Sequence, residues 1–106
     1  MKVRIADQQI VFRLNEEEKN KFVQDRKIEV ILNLRKKTLG YALELSSKLK
    51  AMNFKYKKGT LTILIPDFYM DKWDKLKVGF EETLQFGEDE EIELIVEKDL
   101  LRSKKK

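Results

Sequence analysis

The chain has no cysteine and no histidine among its 106 residues, and only one proline and four glycines. Without cysteine there is no disulfide framework, no thiolate metal site and no thiol nucleophile. Without histidine the commonest metal ligand is missing, as is the side chain best suited to proton transfer near neutrality. No apolar run approaches the roughly 20 residues of a membrane-spanning helix. The opening Met1-Lys2-Val3-Arg4-Ile5 alternates like a strand and lacks the apolar centre of a signal peptide. These absences point to a reducing, cytoplasmic setting with no membrane partner and no cofactor. The net charge of +4 is modest, and Arg102, Lys104, Lys105 and Lys106 supply as much by themselves. The sequence predicts one domain over residues 1–101, with 102–106 as a basic, disordered tail.

What is present is a repeated hydrophobic pattern. Displaced by 51 positions, Val3, Ile5, Ile10, Phe12 and Leu14 fall on Phe54, Tyr56, Leu61, Ile63 and Ile65, and Phe22 falls on Trp73. With one residue of slippage Ile28 and Val30 meet Val78 and Phe80. Tyr41, Leu43 and Leu45 then meet Ile92, Leu94 and Val96. Period-2 alternation marks strands, and polar stretches mark the turns between them. Asn15, followed by Glu18 three residues later, predicts a capped helix. Pro66 ends a strand and opens a second helix over Asp67–Lys75, with Tyr69, Trp73 and Leu76 on one face. The stretch Ser46–Ala51 is a seam with room for one helical turn.

Each half, 1–46 and 51–98, therefore reads strand-strand-helix-strand-strand. The fold class is mainly β (α+β), a small barrel or interlocked sheets built from two pseudo-twofold repeats. Neither half buries its apolar face alone, because an isolated hairpin is marginal in water. The expected core is Ile10, Phe12, Leu14, Phe22, Ile28, Val30, Tyr41 and Leu43 with Leu61, Ile63, Ile65, Trp73, Val78, Phe80, Leu94 and Val96.

The segment Leu61-Thr62-Ile63-Leu64-Ile65-Pro66, a short helix through Trp73, and Val78-Gly79-Phe80 resemble the swapped-hairpin fold of AbrB-like and MazE-like regulators. The resemblance implies interlocked hairpins, with two fused copies forming a pseudo-dimer, and DNA binding mounted on turns. The opening strand, Ile10-Val11-Phe12-Arg13-Leu14, Val78-Gly79-Phe80 and Leu94-Ile95-Val96-Glu97-Lys98-Asp99-Leu100 are similar to a family of short uncharacterised bacterial proteins. That second likeness implies no activity.

No constellation for catalysis or metal binding emerges. The run Glu88, Asp89, Glu90, Glu91, Glu93 lacks the ligand spacing of a calcium loop and reads as a solvated hairpin tip. Glu16, Glu17 and Glu18 suit a helix first turn. Glu81 and Glu82 have no partner carboxylate placed across a cleft. Trp73 reads as a core plug. The candidate nucleic-acid contacts are Arg35, Lys36 and Lys37 on one turn with Lys55, Lys57 and Lys58 near another, a potential phosphate-binding stripe if the turns meet. The first functional reading is a non-catalytic binding or scaffold module acting through a protein partner or as a homo-oligomer. The alternative is a nucleic-acid-binding regulator or antitoxin using the lysine-rich turns. An enzyme comes third, and would need a deep pocket placing Glu81 or Glu82 beside Lys98.

Overall fold

A computed structural model describes residues 1–85 and 87–99. The tail 102–106 and Phe86, one of two expected ends of its strand, lie outside the described residues. The elements run β1 (Lys2–Ala6), β2 (Gln9–Leu14), α1 (Glu16–Asp25), β3 (Lys27–Leu34) and β4 (Lys37–Ser46). They continue with β5 (Asn53–Lys57), β6 (Thr60–Pro66), α2 (Asp67–Met70), a 3₁₀ turn (Trp73–Lys75), β7 (Gly79–Gln85) and β8 (Glu91–Lys98).

The strands form two four-stranded sheets, ordered β1-β2-β8-β7 (sheet A) and β3-β4-β6-β5 (sheet B). They do not close into a barrel. Each sheet joins one hairpin from residues 1–46 to one from residues 53–98. The joins are the central parallel pairs β2–β8 and β4–β6. A parallel pair needs a crossover connection: between β2 and β8 the chain passes through both helices and all of sheet B, whereas β4 reaches β6 through residues 47–52 and β5 on the far side of β6. The β1–β2 and β5–β6 hairpins keep the same register under the 51-residue displacement, for Ile5 pairs with Ile10 and Tyr56 with Leu61. The parallel joins do not. Ile10 stands opposite Leu94, whereas Leu61 stands opposite Tyr41, not Leu43.

The core lies between the sheets. Phe12, Leu14, Leu43, Ile63, Ile65, Leu94 and Val96 are fully buried there, with Phe22 of α1 and Trp73 of the 3₁₀ turn closing the ends. Ile28, Tyr41, Leu61 and Phe80 pack against this cluster as half-buried side chains. Two expected members are exposed: Val30 lies on the outer edge of sheet B, and Val78 precedes β7 rather than beginning it. Buried Val11, Ala42, Leu45 and Met52 were not expected.

α1 forms where its capping box requires. The Glu18 amide donates to Asn15 Oδ1 at 2.8 Å, and the Asn15 amide donates to Glu18 Oε1 at 2.9 Å. The Met1 amino group donates to the other oxygen of Glu18. Burial pushes the Glu18 carboxyl up, but the hydrogen bonds from Met1 and Asn15, with the nearby amino charge, outweigh it and bring it below its ordinary value. The second helix is shorter than expected: it stops at Met70, and only Trp73–Lys75 winds again, as 3₁₀. Aromatic edges hold this broken segment, with the Phe80 ring 5.2 Å from Tyr69 and 5.7 Å from Trp73. Arg26, just past α1, grips Asp67 at the start of α2 with contacts of 2.9 and 3.1 Å. The seam 46–51 contains bends and no helical turn.

Candidate binding surface at the end of sheet B

Both lysine-bearing turns are two-residue hairpins. In the β5–β6 turn Lys58 and Gly59 have φ of 53° and 81°, as a type I′ turn needs. A Cβ on Gly59 would come within 2.2 Å of the Thr38 carbonyl oxygen, so only glycine lets the two turns approach this closely. The Gly40 amide donates to the Gly59 carbonyl at 2.8 Å, tying β4 to the β5–β6 turn.

That tie brings the turns together. Lys36, Lys37, Thr38, Tyr56, Lys58 and Gly59 line one open depression of about 370 Å³. Tyr56 is 67% exposed, an unusual place for a large aromatic ring. Of the six candidate contacts, Lys36, Lys37 and Lys58 thus share one surface. Arg35 sits beside it in the β3–β4 turn, with φ of 57°, and does not line it. Lys55 and Lys57 alternate with Tyr56 along β5 and lie on the other face of sheet B. There Lys55 pairs with Glu44 at 3.7 Å.

The same end of sheet B carries exposed apolar residues, on both faces of its hairpin, that periodicity alone did not reveal. Val30, Ile31, Leu32, Leu34 and Leu39 are all exposed. The reason is strand length. β3 pairs with β4 from Lys27 to Leu34, but β6 begins to cover β4 only at Gly40. The hairpin tip therefore extends past its third strand. The sequence signal was a strand apolar on both faces, Ile28, Val30 and Leu32 on one and Ile31 on the other.

Glu82, Tyr69 and Lys98 are engaged in structural hydrogen bonds. Glu82 accepts from the Tyr69 hydroxyl at 2.6 Å and from the Met52 amide at 3.0 Å. Burial, and then the Glu82 carboxylate, push the Tyr69 phenol up to about 12. Lys98 Nζ donates to the Leu76 carbonyl at 2.7 Å and lies 5.7 Å from the Trp73 ring centre. Glu81 lines a separate depression of about 240 Å³ with Phe68, Tyr69, Lys72, Leu76 and Phe80. Of the acidic run expected at a hairpin tip, Glu88, Asp89 and Glu90 lie in the β7–β8 turn, whereas Glu91 and Glu93 belong to β8; Asp89, Glu90 and Glu91 line a depression with Gln8. Among the described residues no three acidic side chains are grouped to hold a metal ion. Among the same residues no helix is long and apolar enough to cross a membrane.

A small β-rich chain with an exposed, basic sheet end is the class these features define. The chain matches, over residues 1–104, a family described as a family of unknown function (DUF7009), and it belongs to that family. No curated protein and no solved structure matches it.

Proposed function

We propose that this chain is a non-catalytic binding module that holds single-stranded nucleic acid on the basic end of sheet B. The observation that carries the reading is the convergence of Lys36, Lys37 and Lys58 around the exposed ring of Tyr56. Lysines neutralise successive phosphates, and a free aromatic face stacks a base whatever its identity. Lysine lacks the planar fork that reads base edges, so the reading implies little sequence preference. The strand order of the sheets supports a diverged duplication of the AbrB-like kind, with turns as the binding elements. The absence of cysteine supports a reducing cytoplasmic setting.

Fluorescence anisotropy with labelled oligo-dT and oligo-U tests this. The wild type binds both at low salt, and the triple change Lys36→Glu, Lys37→Glu, Lys58→Glu abolishes binding. Tyr56→Ala weakens it about tenfold, the scale of one stacked base. Binding that the triple change leaves intact, or no binding at low salt, removes the proposal.

A second reading, action through a protein partner, is supported by the exposed apolar residues of the β3–β4 hairpin, since contiguous apolar surface marks association sites.

A further inference from the structure

Sheets A and B present four edge strands: β1, β7, β3 and β5. Edges invite pairing with another chain, and proteins blunt them with charge. Three are blunted in this way: β1 carries Lys2 and Arg4, β5 carries Lys55 and Lys57, and β7 carries Glu81 and Glu82. The last five residues of β3, Val30-Ile31-Leu32-Asn33-Leu34, carry none, and Leu32 is 54% exposed.

We propose that β3 pairs antiparallel with β3 of a second copy of this chain, joining two B sheets into one. The inference rests on the protein-partner reading and names the partner. The backbone is ready for it. Leu34 and Lys37 flank a two-residue turn, so they form a hydrogen-bonded pair, and this class alternates along β3. Ile28, Val30, Leu32 and Leu34 turn their amides and carbonyls toward β4. Those of Glu29, Ile31 and Asn33 point to the open edge.

Charge favours one register over its neighbour. A twofold centred on Ile31 brings Lys27 near the partner's Arg35 in the turn just past the strand, and like charges at close range are unfavourable. Centring on Leu32 instead sets Val30 opposite the partner's Leu34 and brings Glu29 near the partner's Arg35 in the adjoining turn. Leu32 then meets the partner's Leu32 as a non-hydrogen-bonded pair, where side chains come closest. Each edge gains a neighbour whose Val30, Leu32 and Leu34 flank those of its twin on the same face of the joined sheet. Tyr56 stays free, because β5 is the opposite edge of the sheet.

Sedimentation equilibrium of the full chain over a concentration series tests the pairing, with circular dichroism to show that each variant folds. The wild type is a dimer, and Leu32→Glu sediments as a monomer with an unchanged spectrum. Because the chain has no cysteine, single cysteines report the register: Leu32→Cys oxidises to a covalent dimer, and Ile31→Cys does so far less. A wild-type monomer up to millimolar concentration overturns the pairing. So does a dimer that survives Leu32→Glu or cross-links preferentially through Ile31→Cys. If the wild type is monomeric, bis-ANS separates the two failures. Dye binding lost in Leu32→Glu leaves the protein-partner reading standing without self-pairing, whereas absence of dye binding removes both.

Discussion

Tyr69 shows how one side chain acquires a task from its setting. The pattern that placed it on a helix face with Trp73 and Leu76 gave no hint that Glu82 would meet its hydroxyl at 2.6 Å. The contact joins the broken helical segment to β7, and Glu82 reaches on to the Met52 amide ahead of β5. Because the folded phenol titrates near 12, against an ordinary value of 10.0, its protonated form is favoured by folding. The stabilisation is complete below the unfolded value and is lost as pH rises through the folded one. Tyr69→Phe loses the hydrogen bond to Glu82 and should be less stable than the wild type at neutral pH. The gap should narrow between pH 10 and 12. Urea midpoints across that range, with phenolate absorbance to follow titration, check this; a gap independent of pH would show that burial and Glu82 do not raise the folded phenol. Glu18 works in the opposite sense, its lowered carboxyl contributing stability that is lost in acid.

The elements the sequence made legible are those specified locally. The capping box of α1 is written in Asn15 and Glu18, and it closes as read. The β5–β6 hairpin is marked by Lys58-Gly59 between alternating segments, and both residues adopt the positive φ required. Elements whose fate depends on distant cover were not legible. Val30 and Ile28 alternate alike, yet only Ile28 packs against the core, because periodicity assigns a face without saying how far the opposite layer extends. Val78 failed for a related reason, since β7 begins one residue later than the displacement suggested. The convergence of Lys36, Lys37 and Lys58 was equally hidden, for it depends on the Gly59 turn lying against Thr38. That dependence is testable. Gly59→Ala must place a side chain at φ 81° with its Cβ 2.2 Å from a backbone oxygen, so a loss of about 1–3 kcal/mol is expected. Gly87→Ala meets nothing within 4 Å and should change stability by less than about 0.5 kcal/mol. Denaturant midpoints for the pair measure the difference, and equal midpoints would mean that the turns are not tied as described.

Across the whole molecule, charge is segregated rather than merely balanced. Sheet B ends in Arg35, Lys36, Lys37, Lys57 and Lys58 at its two turns. Sheet A ends at its own two turns in Asp7 and the run Glu88 to Glu91, with Gln8, Asp89, Glu90, Glu91 and Ile92 around a depression of about 440 Å³. The sheets thus carry opposite charge at corresponding turns, so the small net charge conceals a strongly basic surface. A polyanion responds to that local field, since exposed charges beyond about 10 Å are largely screened at 0.1 M salt. Three converging lysines should give a log–log salt slope of about −2 for single strands, and Lys58→Ala should reduce its magnitude by about 0.7. Neutralising the other end with Asp89→Asn and Glu90→Gln should leave the slope unchanged, raising affinity slightly and only at the lowest salt. Titrations at four salt concentrations separate these outcomes. A slope that ignores Lys58 but follows Asp89 and Glu90 would mean that net charge, not the sheet B turns, governs binding.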